Sequence, residues 1–210
     1  TLLITIPLIL AFIAPLGSYL GNYLAMGINW LFENAGIFAG LLLGAFNPFI
    51  VMTGMHYGFF PMILENLGTL GYDNGYLVVN LITNLAQGGA VLAVALKTRN
   101  KELKSISISS GISAVLGITE PAMFGVNLKL KKPFYAAMIS GGIVGAIVVA
   151  LGLKTYGFII PGLVALPGYV SPDGNSTNLI IALIGALAAF AIAFGLTWMM
   201  GFEDKKLDNE

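Results

Sequence analysis

The chain contains no cysteine, so it forms no disulfide, builds no thiolate metal site and offers no cysteine nucleophile. Histidine occurs once, at His56, and no set of acids and histidines has metal-ligand spacing. Charge is also sparse: 10% of residues are Asp, Glu, Lys or Arg, against roughly 25% in a soluble domain. From Thr1 to Leu96 there is no Lys or Arg, and the only acids are Glu33, Glu65 and Asp73. Zero net charge removes the basic footprint of a nucleic-acid partner. Neither a glycine-lysine phosphate loop nor a nucleophile elbow is present. What remains is 57% hydrophobic. A soluble protein with buried helices needs a charged outer surface that this sequence does not supply. The composition therefore predicts an all-α integral membrane protein with several spanning helices.

Spanning helices need roughly 17–25 predominantly apolar residues. Five stretches qualify: Leu2–Met26 (interrupted by Pro7 and Pro15), Ile37–Met55, Tyr76–Leu96, Pro133–Leu153 and Leu179–Gly201. Three others, Tyr57–Leu70, Ser105–Leu128 and Tyr156–Val170, are apolar but too broken to be simple spans. Thr1–Leu10 has no basic leader, so it reads as a chain cut within a domain rather than a signal peptide. Two basic clusters, Lys97/Arg99/Lys101/Lys104 and Lys129/Lys131/Lys132, both belong on the cytoplasmic side by the positive-inside bias. Ser105–Leu128 must then leave and return on one face, as a re-entrant hairpin. The turns Gly71–Gly75 and Ser171–Asn175 fall outside, and residues 203–210 form a cytoplasmic linker stub after a membrane unit spanning residues 1–202. The bias says nothing about the orientation of the first 60 residues. Ser105, Ser107, Ser109, Ser110 and Ser113 form a run of small residues suited to close packing.

Within the hairpin, Glu120 is the only charge from Ser105 to Leu128. An ionised group at membrane depth costs about 2.5–3.5 kcal/mol on insertion scales and usually marks a substrate or ion path. Pro121 disfavours α-helix at the preceding glutamate, and Gly117 and Gly125 permit turns. A broken, glycine-flanked segment with one acid at its tip is a way to build a polar site inside a membrane. His56 sits in a second such segment, Asn47–Pro61. An imidazole donates to or accepts from hydroxyls and a carboxylate accepts strongly, a pair suited to a polyhydroxyl ligand. Asn84 and Gln87 are i,i+3 neighbours on one helix, beside Thr83. Ligand contact and helix–helix hydrogen bonding are equally open for them. Tyr57, Phe59, Phe60, Phe124 and Tyr135 are candidates for stacking on a sugar ring, or for packing and interfacial anchoring.

Gly117-Ile118-Thr119-Glu120-Pro121-Ala122-Met123-Phe124-Gly125-Val126-Asn127, followed by Lys131-Lys132-Pro133-Phe134, resembles the signature of the sugar phosphotransferase system. It is similar to the membrane (C) domain of enzyme II in the glucose/glucoside/sucrose superfamily. Thr53-Gly54-Met55-His56 resembles that family's substrate-histidine segment. Ala86-Gln87-Gly88-Gly89-Ala90 with Leu96-Lys97-Thr98-Arg99-Asn100 resembles the helix and basic loop before the signature. The match runs from about Thr1 to Phe202. The resemblance implies a multi-pass permease of the bacterial inner membrane, a homodimer in the lipid bilayer, with an elevator-like motion of its sugar-carrying half. This chain corresponds to the C-terminal portion. It implies sugar binding by Glu120 and His56, with Thr119, Asn84, Thr53 and Gln87 as neighbours, and no cofactor. It also implies partner B and A domains, the B domain donating phosphate from a phosphocysteine that this cysteine-free chain cannot provide.

His56-Tyr57-Gly58-Phe59-Phe60-Pro61 leans towards a β-glucoside cargo, whereas Asn84–Ala90 equally resembles sucrose-type members. Two other readings compete. A secondary transporter would use Glu120 and His56 to relay protons and would release unmodified solute. An intramembrane enzyme would use them as acid and base and turn over without a phosphoryl donor.

Overall fold

Among the described residues, four helices are long and apolar enough to cross a membrane, Asn34–Met52, Tyr76–Lys97, Lys132–Ala150 and Thr177–Met200. The computed structural model describes residues 5–7, 11–12 and 14–204. Most of Thr1–Leu10, the side chain of Glu33 and the tail Lys205–Glu210 lie outside the described part, and so do the expectations attached to them. Helix α1 (Ala14–Met52) is followed by a 3₁₀ turn (Met55–Phe59), α2 (Phe60–Thr69), α3 (Tyr76–Lys97) and α4 (Lys101–Val115). A broken segment from Glu120 to Leu130, then α5 (Lys132–Ala150), a 3₁₀ stretch (Leu163–Tyr169) and α6 (Thr177–Met200) complete it. No β-strand occurs among the described residues; a single bridge pairs Asp73 with Thr155.

The expected spans Leu2–Met26 and Ile37–Met55 do not stay separate. The chain is helical through Ala14–Met52 and breaks only at Ala35 (φ −147°, ψ 47°). Asn34 relieves the kink by donating its side-chain amide to the Trp30 carbonyl (2.8 Å). At the other end the helix stops at Met52 rather than Met55, because Gly54 adopts φ 75° and starts the turn that carries His56.

α3 is the core of the molecule: nearly all its residues are buried, with α5 and α6 on one side and α4 on another. Glycines let the backbones approach. Gly40 and Gly44 of α1 face Gly145 and Gly141 of α5. A Cβ on Gly40 would lie 2.6 Å from the Gly145 carbonyl oxygen, and one on Gly141 would lie 2.5 Å from that of Gly44. Such small-residue seams are a main source of helix affinity in membranes. Gly44→Ala is expected to push α1 from α5 and destabilise by roughly 1–3 kcal/mol, read as a lower unfolding temperature in detergent. An unchanged temperature would mean the seam is slack. The predicted serine run behaves in part as expected: Ser107, Ser110, Gly111 and Ala114 form the buried face of α4.

The ends of the bundle are chemically distinct. At one end Lys97 donates to the Trp198 carbonyl and Lys132 to that of Met200 (3.0 Å), which brings both basic clusters and the end of α6 together. Asn100 caps α4 by accepting from the Glu102 and Leu103 amides (2.9 and 3.2 Å). Asp204 accepts from the Thr98 hydroxyl and the Arg99 amide (2.8 Å), which hold its carboxyl below the usual aspartate range. A lowered folded pKa contributes stability above the unfolded value and loses it as pH falls through the lowered one. Hydrogen-exchange protection at the Arg99 amide is therefore expected to fall below about pH 4 in the wild type, and to lose that dependence in Asp204→Asn. At the opposite end lie Asp73 and Thr155, Lys154 over the Tyr72 ring (3.9 Å), and Asn178 hydrogen-bonded to the Lys154 and Tyr169 carbonyls (2.7 Å each).

Between these ends, α4 runs away from the basic end, the chain turns at Gly117 (φ 110°), and Glu120–Leu130 runs back. Leu103, Ala114, Ala122 and Val126 pack with Val91 and Val94 of α3, closing the hairpin against the core. Its tip meets α3 at Asn84, about 20 Å along the helix axis from Lys97.

Candidate functional site

The return limb begins with Glu120, and here the structure differs from expectation. Pro121 does not keep Glu120 out of a helix. Glu120 starts a helical turn with Pro121 in its first positions, where a missing N–H leaves no bond unmade. The break comes before the acid, at Leu116–Thr119, and again at Met123–Asn127, which winds as a π-turn.

A cavity of about 300 Å³ opens at this tip, a size near the lower end of small-molecule sites. Its polar wall is Glu120, Thr119, His56, Asn80 and Asn84; its apolar wall includes Tyr57, Phe60, Phe158, Ile159 and Ile160. The Glu120 carboxylate accepts no hydrogen bond from any described residue and lies within electrostatic range of the His56 imidazole. His56 stacks on Tyr57 (centroids 4.0 Å apart), and its Nδ1 is buried without a hydrogen-bond partner. Tyr57, Phe60 and Phe158 continue the aromatic wall at 5.3 and 5.1 Å spacing.

Asn84 has a specific task in this geometry. Its Nδ2 donates to the carbonyls of Pro161 (2.7 Å) and Gly117 (3.4 Å), joining the hairpin tip to the loop that precedes Leu163. Gly117 and Gly162 make the contact possible: a Cβ on Gly162 would sit 2.6 Å from the Gly117 nitrogen. Thr119 is buried at the cavity wall.

Two other sequence candidates do not line the cavity. Thr53 is exposed and turns its hydroxyl back onto the Phe49 and Ile50 carbonyls (3.2 and 3.0 Å). Gln87 is fully buried one turn beyond Asn84, and neither end of its carboxamide finds a hydrogen-bond partner; Asn127 in the π-turn is in the same condition. Among the aromatic candidates, Phe59 packs behind the site on Tyr76 (4.5 Å), while Phe124 and Tyr135 are exposed and outside the lining.

Sequence reasoning missed Asn47, Tyr76, Asn80 and Phe158. Tyr76 donates to Asn47 Oδ1 (2.9 Å), and Asn47 Nδ2 donates to Asn80 Oδ1 (3.0 Å) and Thr83 Oγ1 (2.6 Å). The available signal was polar spacing: Asn80, Thr83, Asn84 and Gln87 recur at i, i+3, i+4 and i+7 along α3.

Spanning helices around a partly polar cavity, with a carboxylate and an imidazole on interrupted backbone, define a multi-pass helical membrane protein. The chain belongs to the phosphotransferase system EIIC family, whose family model matches residues 1–142. It is 43% identical over 199 residues to the PTS system beta-glucoside-specific EIIBCA component of Bacillus subtilis (strain 168), covering 93% of this chain and 31% of that protein. It is 36% identical to the PTS system sucrose-specific EIIBC component of Pasteurella multocida (strain Pm70), covering 90% of this chain and 39% of the relative. The PTS system arbutin-, cellobiose-, and salicin-specific EIIBC component of Escherichia coli (strain K12) is 34% identical, with 96% and 42% covered. The chain thus spans 31–42% of the length of these relatives. No solved structure matches it.

Proposed function

We propose that the chain binds a sugar, foremost a β-glucoside, at the Glu120–His56 cavity and carries it across a bacterial inner membrane. The observation that carries this reading is the half-buried Glu120 carboxylate: it lines the cavity at the hairpin tip and accepts no hydrogen bond from the described residues. A cavity-lining acceptor without a protein partner suits a ligand that brings hydroxyl donors. The aromatic wall of Tyr57, Phe60 and Phe158 suits the apolar face of a pyranose or an aryl aglycone. A relative named for arbutin, cellobiose and salicin and one named for beta-glucosides favour that cargo. Sucrose is the second reading, favoured by the relatives named for it.

In this reading the basic end faces the cytoplasm and the Ser105–Leu128 hairpin is re-entrant. Residues 1–202 form the sugar-carrying part of the membrane domain, and 203–210 lead towards a B domain. The glycine-packed helices move with the site as one unit against a homodimeric scaffold. Glu120 orients the sugar hydroxyl that receives phosphate from a phosphocysteine on the B domain, with an A domain upstream. Removing that hydroxyl's proton in advance is unnecessary if transfer is loose. The sugar phosphate then leaves, because its negative charge opposes the Glu120 carboxylate.

The test is radiolabelled binding to the intact protein in detergent, with salicin, cellobiose, sucrose, trehalose, maltose and glucose. Saturable binding of one β-glucoside, weakened in His56→Ala, is the expected result. Binding to none of them, with gradient-dependent uptake of an unmodified solute instead, would favour an ion-coupled transporter.

A further inference from the structure

We infer that Asn80 is a specificity-determining residue that presents a hydrogen-bond donor to one ligand hydroxyl, its polarity set by the buried relay Tyr76–Asn47. The inference rests on the sugar reading above and deepens it.

A carboxamide offers an acceptor at one end and donors at the other, so which end faces the cavity decides which hydroxyl orientation it selects. The relay fixes that choice. The Tyr76 hydroxyl belongs to a residue only 1% exposed, and its proton goes to Asn47 Oδ1 (2.9 Å). Asn47 is fully buried, so its Nδ2 must point the other way, donating one proton to Asn80 Oδ1 (3.0 Å) and one to Thr83 Oγ1 (2.6 Å). Thr83 passes its own hydroxyl proton to the Asn80 backbone carbonyl (3.1 Å), so it does not compete for the Asn80 side chain. Asn80 Oδ1 is thereby occupied inside the protein, and Nδ2 is the end left for the cavity that Asn80 lines. Reversing Asn80 would require reversing Asn47 as well, which would leave the buried Tyr76 proton without an acceptor.

The cavity consequently carries an acceptor in Glu120 and a fixed donor in Asn80. Glu120 takes a proton from a hydroxyl; Asn80 gives one to a hydroxyl or ring oxygen. Neither Tyr76 nor Asn47 need touch the ligand: they act as positioning residues through Asn80.

The experiment measures binding of salicin and its monodeoxy analogues at each glucose position, to the intact wild-type protein, Asn80→Ala, Asn80→Asp and Tyr76→Phe. Asn80→Asp keeps the shape and the acceptor towards Asn47 but removes the donor. Expected is a loss of about tenfold or more for salicin in both Asn80 variants, and no further loss with one particular deoxy analogue. In Tyr76→Phe the discrimination at that same position shrinks, while discrimination at the others is kept. Equal losses across all analogues in the Asn80 variants, or unaltered affinities, would overturn the inference while leaving the sugar reading intact. If wild type bound no probe, the sugar reading itself would fall and the inference with it.

Discussion

Glu120→Gln is expected to lower affinity for the bound sugar by about 10- to 150-fold, corresponding to the 1.5–3 kcal/mol of a hydrogen bond to a charged group. The side chain keeps its size, so the cavity lining of Thr119, His56 and Asn80 should survive. What disappears is the charge and one acceptor: an amide accepts through a single oxygen and turns a donor towards the sugar. No described residue hydrogen-bonds the carboxylate, so the loss falls on the ligand rather than on the fold. The unfolding temperature without ligand should accordingly stay close to wild type. Equilibrium binding beside thermal unfolding separates the effects. Normal affinity in a well-folded variant would defeat the assignment of Glu120 to the sugar.

Gly162→Ala should weaken binding by about a hundredfold although it alters no candidate ligand group. The added Cβ would meet the Leu116 carbonyl oxygen at 2.5 Å and the Gly117 nitrogen at 2.6 Å. Both obstacles are backbone, so the clash is relieved only by moving one loop from the other. Asn84 can then no longer bond Pro161 and Gly117 together, and the Glu120 tip loses its register with the cavity. Displacements of about 1 Å are enough to cost about a hundredfold where geometry matters. Gly68→Ala is the control, since a Cβ there meets nothing within 4 Å and its helix should gain from alanine. Retained binding in Gly162→Ala would show that the two loops are not held as a unit.

Asn84 shows how far a sequence pattern reaches. Its position on a helix beside Gln87 was legible, but ligand contact and helix–helix bonding stayed equally open. The structure shows a third arrangement, in which the amide clamps two loops while its residue lines the cavity. Gln87, with the same spacing signal, is enclosed without a partner. Side-chain type and period are local, whereas the partner depends on segments more than thirty residues away. Tyr76, Asn47 and Asn80 were passed over for the same reason: each is an ordinary buried polar residue until the three are joined.

From composition and charge alone the chain was determined to be a helical membrane protein, because apolar length and the scarcity of charge report directly on the solvent around it. The out-and-back path of Ser105–Leu128 was legible too, since two basic clusters at one end of the bundle require the stretch between them to return. The specific Glu120 segment was enough to point to the family. Tertiary structure decided the rest: that α1 continues past Gly27 to a kink at Ala35, that the helix resumes at Glu120, and that Phe158 and Asn80 share its cavity. Those outcomes depend on backbones meeting at glycine and on which buried donor finds which acceptor. Such pairings are made between distant parts of the chain, and no local period records them.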